Sequence, residues 1–337
     1  MSLEIREVTA ADQSLLEQWY AVYARADRDG RSEPHTWQLS EIRAEMELPD
    51  PRERAVRVAG LDDGAVMTAG WAFLPLLDNL DLAYVQVFVD PPVRRRGHGT
   101  RMLTELERLC RAAGRSVLIG EVAWPYPLGS EGTGWPGAEF ARHHGATLAL
   151  GDVQRRLDLP IGDRRLAELT EAAAAYHRGY RLRRFLGAVP EDLVASYAAL
   201  DAAVETEAPT GQLALEPAVA DPDAVRAVDR QLAAQGRTRV VTMAFHGREP
   251  AGFTELIVPA AEPGRAYQWG TLVDRGHRGH RLGMALKVAN LRLLQDRWPQ
   301  VRHLYTDNAE SNAHMVTINE TLGFEPAGRM GEFQKRL

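Results

Sequence analysis

The residues best suited to chemistry lie in a short basic loop, Arg94-Arg95-Arg96-Gly97-His98-Gly99-Thr100. It follows an apolar run, Leu82 to Val89, and precedes a stretch in which Met102, Leu103, Leu106, Leu109, Cys110 and Ala113 fall at helical spacing. A loop in that place suits an anion, because the first amides of a helix have no acceptor within it and the helix dipole adds positive potential. Glycines at 97 and 99 let the main chain approach phosphate oxygens, and the adjacent guanidiniums add charge-assisted hydrogen bonds. The chemistry indicated is the holding of a pyrophosphate. Taken alone, the same loop would serve equally as a charged cap on an amphipathic helix. No Gly-Lys-Ser or Gly-Lys-Thr follows, which excludes the Walker loop, and the glycine spacing excludes the dinucleotide fingerprint.

The loop occurs twice. Val89-Asp90-Pro91 through Gly99 is matched by Val273-Asp274-Arg275 through Gly283, with Arg278-Gly279-His280-Arg281-Leu282-Gly283 in the frame of Arg94 to Gly99. Upstream, Ala69-Gly70-Trp71 and Ala251-Gly252-Phe253 open corresponding apolar runs. Repetition at domain length indicates duplication rather than a solenoid. A chain of 337 residues also exceeds what one core usually supports. The reading is a mixed α/β protein of two domains, residues 1–160 and 180–337, joined by a helical connector over 161–179.

Several elements must position these loops. In the first copy the pattern predicts strands at Leu3 to Val8, Ala55 to Gly60, Ala65 to Leu77, Leu82 to Val89 and Val117 to Val122. Helices are predicted at Ala11 to Ala24, Thr36 to Glu47 and Thr100 to Ala113. Asp152 to Leu159 reads as a closing strand and Ile161 to Tyr176 as the connector helix. The second copy repeats the plan: strands at Arg181 to Leu186, Val240 to Phe245, Gly252 to Val258, Gln268 to Val273, His303 to Thr306 and Phe324 to Phe333, with helices at Leu282 to Arg297 and Asn312 to Leu322.

Arg94-x-x-Gly97-x-Gly99 after Val89-x-Pro91 resembles the acetyl-CoA signature of the GNAT N-acetyltransferases. Asn312-x-x-Met315-x-x-Ile318-Asn319-x-x-Leu322-Gly323-Phe324 is similar to the later helix motif of that family. The resemblance spans nearly the whole chain, as in tandem GNAT proteins of the mycothiol synthase type. It implies a sheet splayed between its fourth and fifth strands, with pantetheine in the gap and the acetyl carbonyl bonded by fourth-strand amides. Carried over, those strand ends are Val87, Phe88 and Val89, and Thr271, Leu272 and Val273. Pyrophosphate would be held by Arg94, Arg95, Arg96, Gly97, His98, Gly99 and Thr100, and by Arg278, Gly279, His280, Arg281, Leu282, Gly283 and Met284. Asn308 and Asn312 would lie beside the cofactor arm.

Acetyl transfer requires a neutral amine and a stabilised leaving thiolate. The family's tyrosine acid stands four residues before the Gly of Gly-Phe; here that position is Asn319 in the second copy and Ala141 in the first. Arg281 replaces the middle glycine of the second loop and could offer its guanidinium to a phosphate instead. The second copy keeps motifs at both ends of the cofactor site, so transfer is expected there, with Glu255, Tyr267 and Asp307 as candidate bases facing the gap. Glu121 and Tyr84 are their counterparts in the first copy. His98 and His280 read as polar loop groups, with no metal site expected. Trp124, Trp135 and the Pro- and Gly-rich run between them form a long loop that could act as a substrate lid.

Composition narrows the remaining classes. Apolar residues make up 45% and charged residues 26%, which describes a folding globular chain. A net charge of −6 gives no global field for nucleic acid or anionic lipid. One cysteine, no export signal and no spanning segment make the cytoplasm the expected location. The expected activity is acetyl-CoA-dependent acetylation of a small-molecule amine, by a monomer or homodimer. A weakly catalytic acyl-CoA-binding module and a protein N-acetyltransferase are the alternatives.

Overall fold

The computed structural model describes residues 3–337. In chain order the elements are β1 (Glu4–Glu7), α1 (Gln13–Arg28), α2 (Leu39–Glu47), β2 (Glu53–Asp62), β3 (Ala65–Pro75), β4 (Leu82–Val89), α3 (His98–Ala112), β5 (Val117–Pro125), α4 (Pro136–His143) and β6 (Thr147–Asp158). They continue with α5 (Asp163–Ala174), β7 (Tyr180–Leu186), α6 (Val194–Glu207), α7 (Pro222–Ala234), β8 (Arg237–His246), β9 (Glu249–Pro259), β10 (Arg265–Val273), α8 (Leu282–Arg297), β11 (His303–Ala309), α9 (Ala313–Leu322) and β12 (Glu325–Arg336).

Local signals account for the element ends. Asp12 caps α1 by accepting from Leu15 N at 3.0 Å, and Gln38 with Glu41 closes a capping box at α2. Gly323, at φ 98°, ends α9 in the left-handed conformation that glycine adopts at little cost. The alanine-rich stretch from 187 to 236 carries α6 and α7, which the loop-centred reading of the sequence left out.

The chain divides into two compact units that do not follow the 1–160 and 180–337 halves. Unit 1 comprises Met1–Gly151 together with Gly211–Leu215 and Gly328–Leu337; unit 2 comprises Asp152–Thr210 and Glu216–Ala327. In unit 1 the strands run β1-β2-β3-β4-β5-β12, and in unit 2 β6-β11-β10-β9-β8-β7. Each duplicate has therefore given its closing strand to the other. β12 pairs antiparallel with β5 from Gly328↔Pro125 to Arg336↔Val117, and β6 pairs antiparallel with β11 from Asp152↔Ala309 to Asp158↔His303.

In unit 1, α3 lays Met102, Leu106 and Cys110 on one sheet face against Ala72, Leu74, Ala83, Val85 and Leu118. On the other face α1 sets Leu16, Trp19, Val22 and Tyr23 over Ala59, Leu61 and Ala69. Leu213 and Leu215 of the returning segment pack on Leu82, Val117 and Ile119, also on that second face. In unit 2, α8 and α5 cover one face with Leu291, Leu294, Leu166 and Leu169. There α6 covers the other, with Val194, Tyr197, Ala198 and Leu200 on Val241, Met243, Phe253 and Leu272.

Candidate active site

Both units contain a forked sheet. β4 and β5 run parallel and pair at Leu82↔Val117, Ala83↔Leu118 and Tyr84↔Ile119, after which the pairing stops. Asp90 N donates to Met67 O at 3.0 Å. Strand alternation therefore turns the amides of Phe88 and Gln86 toward β3 and those of Val87 and Val89 into the fork. In unit 2, β10 and β11 pair from Arg265↔His303 to Gln268↔Thr306 and then part. Asp274 N bonds Ala251 O at 3.0 Å, so Thr271 and Val273 turn their amides into that fork. A β-bulge between Gln268 and Thr271 adds one residue to β10 just where the strands separate.

Each fork opens beside its basic loop. The first intrahelical bond of α3 runs from Arg101 N to Gly97 O at 3.2 Å, which leaves the amides of His98, Gly99 and Thr100 without acceptors inside the helix. Gly97 has φ 82° and Arg281, its counterpart, φ 51°. The second loop thus keeps the left-handed backbone at a side chain that disfavours it, at a cost of roughly 1–2 kcal/mol. Gly99 brings α3 close to Phe140 and Val89, where an added Cβ would stand 3.1 and 3.2 Å from side-chain carbons. Gly283 does the same against Ile318 at 3.0 Å.

The guanidiniums differ between the loops. Arg94 bonds Asp29 at 2.6 Å and reaches back to Val89 O at 3.4 Å. Arg95 and Arg96 are exposed and make no side-chain hydrogen bond or ion pair among the described residues. In unit 2, Arg278 and Arg275 both engage Glu207, at 2.6 and 2.7 Å. Arg281, expected to offer itself to a phosphate, donates instead to Ala172 O at 3.0 Å and lies 3.9 Å over the Tyr176 ring. His280 bonds Tyr176 O at 3.0 Å. His98 is 5% exposed, and Thr100 Oγ1 lies 3.2 Å from His144 Nε2. Leu282 is buried, and Met284 packs at the edge of the α8 core.

The other expected site residues take distinct places. Glu255, read as facing the gap, lies instead beneath α6 and is 3% exposed. There Arg239 Nε stands 3.1 Å from its carboxylate and the Tyr197 hydroxyl donates to it. Burial raises its pKa, with Arg239 and Tyr197 opposing the rise. Tyr197→Phe is expected to cost about 1–3 kcal/mol in unit 2, read from denaturant unfolding, because the buried carboxylate loses a donor. Tyr267 lies on the paired side of the fork, donating to Glu262 at 2.8 Å and stacked on Tyr305. Asp307 is exposed on β11, the first residue past the last pair with β10. Glu121 and Tyr84 share the α1 face of unit 1, Tyr84 at the last pair and Glu121 two residues beyond it.

Asn319 is fully buried and bridges two groups. Its Nδ2 donates to Asn308 Oδ1 at 3.0 Å, and its Oδ1 accepts from Lys287 Nζ at 2.8 Å. Arg155 also donates to Asn308, at 3.3 Å. Asn312 is the N-cap of α9, accepting from Met315 N at 3.2 Å. The sequence reading passed over Lys287, yet it is 2% exposed and burial lowers its pKa to about 7. The signal was available: Lys287 and Lys335 are the only lysines in a chain that otherwise uses arginine, and Lys287 sits among apolar helix positions. A lysine can give up its proton there, and an arginine cannot.

The long loop of unit 1 is anchored rather than loose. Trp124 is 2% exposed, donates to Gly129 O at 2.9 Å and stacks under Gly132. Among the described residues no helix is long and apolar enough to cross a membrane, and no group of His, Cys, Asp or Glu is placed to hold a metal ion.

Comparison with known proteins agrees with this geometry. The profile of the acetyltransferase (GNAT) family matches residues 16–123. A tandem GNAT protein from the clavulanic acid biosynthesis pathway superposes with a TM-score of 0.82 at 28% identity, over 99% of this chain and 98% of that one. A GCN5-related N-acetyltransferase from Sphaerobacter thermophilus shares the fold, with a TM-score of 0.65 at 16% identity over 99% and 95% of the two chains. So does an acetyltransferase described as putative from Pyrococcus horikoshii, at 0.56 and 11% over 99% and 89%. A search of curated proteins gives no match. Duplicated forks, each with strand-end amides beside a basic helix-capping loop, thus accompany a GNAT family match over residues 16–123 and an end-to-end likeness to a tandem GNAT protein.

Proposed function

We propose that the protein transfers an acetyl group from acetyl-CoA to a primary amine on a small molecule. The observation that carries this reading is the fork at the end of β4, where the Val87 and Val89 amides turn inward directly beside the loop of Arg94 to Thr100. The residues fit the cofactor: first-turn amides and the unpaired Arg95 and Arg96 match a diphosphate, and a polar strand edge matches a carbonyl. When bound, acetyl-CoA supplies the thioester carbonyl that the amine attacks.

The protein's own part is orientation and proton handling. Inward amides hold the carbonyl and favour negative charge on its oxygen. A carboxylate facing the fork takes the ammonium proton, with Glu121 in unit 1 and Asp307 in unit 2 as the groups nearest each opening. Glu255 and Tyr267, bonded to Arg239 and Glu262, support the strands around the second fork. The relative from the clavulanic acid pathway supports a small-molecule acceptor over a protein one.

Two measurements test this. Calorimetry with CoA and acetyl-CoA is expected to give dissociation constants in the micromolar range, typical of cofactor use. CoA release with acetyl-CoA and a panel of phenethylamine, glucosamine and lysine is expected to exceed the amine-free rate for at least one acceptor. Affinity without release above that rate would favour the binding-module reading. Absence of affinity would remove acyl transfer altogether.

A further inference from the structure

We propose that acyl transfer takes place in unit 1, and that unit 2 has become a sealed copy that supports the fold; this rests on the acetyl-CoA reading above. The two forks share backbone geometry and differ in what surrounds them.

On the acceptor side of unit 2, α6 lies directly on the sheet. From Ala251 to Pro259, every residue of β9 is buried, whichever face it occupies. Phe253 and Leu272 pack under Val194, Tyr197 and Leu200. A Cβ on Gly270, at the bulge, would stand 3.1 Å from Phe253 and 3.8 Å from Val204 of α6. The carboxylate of Glu255 on this face is consumed by Arg239 and Tyr197. An amine approaching over β9 meets a packed helix, and on β10 it is the bulge at Trp269 to Thr271 that keeps partial exposure beside the fork.

The corresponding face of unit 1 remains partly open. Trp71 and Phe73 on β3, and Tyr84, Gln86 and Phe88 on β4, are all half-buried, although they lie on central strands. On β9 the ring beneath α6, Phe253, is by contrast 1% exposed. The rings of unit 1 pack on one another, with Trp71 and Phe88 centroids 4.9 Å apart and Tyr23 within 5.2 Å of both. They form an ordered aromatic wall that α1 and Leu213 cover only in part, leaving each ring of β3 and β4 half-buried. Glu121 faces the same side, two residues beyond the last β4–β5 pair.

The loops point the same way. Arg95, Arg96 and Arg101 stand unpaired in unit 1 among the described residues. Their counterparts in the second loop frame are Gly279, His280 and Ala285, so unit 2 has no spare guanidinium. Its remaining arginines are held by Glu207 and by Ala172 O. Displacing Glu207 to admit a diphosphate would exchange one set of ionic bonds for another, whereas unit 1 gains its bonds outright.

Hydrogen exchange on the intact protein, with and without saturating acetyl-CoA, locates the bound donor. Protection is expected at 87–89 and 95–100, with no change at 271–273 and 279–284. A paired variant, Arg95→Glu with Arg96→Glu, tests turnover. Both side chains are exposed, so the unfolding midpoint should stay within a degree or two while acetyl-CoA affinity and CoA release fall at least 100-fold. Protection confined to 271–284, or a folded double variant that keeps more than a tenth of wild-type turnover, would overturn the assignment to unit 1. A wild-type protein that binds no acetyl-CoA would instead remove the reading on which it rests.

Discussion

Replacing Phe333 by alanine is expected to destabilise unit 1 by about 3–5 kcal/mol, the usual cost of emptying a buried phenylalanine site. Phe333 lies at 2% exposure on β12, its ring 6.5 Å from that of Trp124, with the Arg142 guanidinium 5.5 Å from the ring centre. In chain order it belongs to the second duplicate, yet the core it packs in, with Trp124, Ala138 and Val122, belongs to unit 1. Its strand completes the ladder to β5 along the whole of Val117–Pro125. Lys335 on the same strand reaches Glu107 of α3 at 2.5 Å, and Gln334 accepts from Ala214 N at 2.8 Å.

A chain ending at Ala327 carries the effect further, since it exposes one edge of β5 together with the Trp124 core. Hydrogen exchange would then be fast across Val117–Pro125 while the β8–β10 ladder keeps its protection. If Phe333→Ala leaves the unit 1 transition within 1 kcal/mol of wild type, or truncation leaves β5 protected, the exchanged strand is not what closes that unit.

A second large effect is expected from Lys287, and it is signed by pH. Its ammonium is buried with an amide oxygen as its hydrogen-bond acceptor, and the Phe324 ring lies 5.8 Å away. Among the described residues no carboxylate pairs with it. Burial lowers its pKa from 10.5 to about 7. Between those two values the unfolded chain holds a proton that the folded protein has released, so stability rises with pH through this window. It is lost again as pH falls from 10.5 toward 7. The slope for one proton is about 1.4 kcal/mol per pH unit.

Lys287→Met removes that dependence. It also leaves Asn319 Oδ1 without its donor, a pH-independent cost of about 1–3 kcal/mol. The stability of the variant relative to wild type should therefore decline by roughly 1.4 kcal/mol per unit between pH 7.5 and 9.5. Comparison with wild type at each pH cancels the other titrating groups, Cys110 among them, whose thiol burial pushes up to about 11. A difference that stays flat across the window would mean that Lys287 is not buried as a neutralisable amine.

Much of the fold was legible in the residues because it is set by local chemistry. β4 at Leu82–Val89 and α8 at Leu282–Arg297 match the apolar runs and helical spacing residue for residue. Both basic loops fall between a strand and a helix, since a turn rich in arginine and glycine has few other places to lie. The fork was an implication of family resemblance, and the register of β4 with β5 and of β10 with β11 shows where each begins.

Partner choice was not legible. Alternation in β6 and β12 states which face of a sheet each side chain takes, but not which edge the strand joins, and an antiparallel edge is open in either unit. The same limit explains Glu255. An acidic residue in an apolar strand reads as functional, and nothing near it in sequence announces that Arg239 and Tyr197 will meet it under α6. Short-range patterning and glycine placement determined the loops, the helices and most strands. Only tertiary packing decided which strand closes which sheet, which guanidiniums stay unpaired and which acceptor face remains uncovered, because those outcomes depend on contacts between residues far apart in the chain.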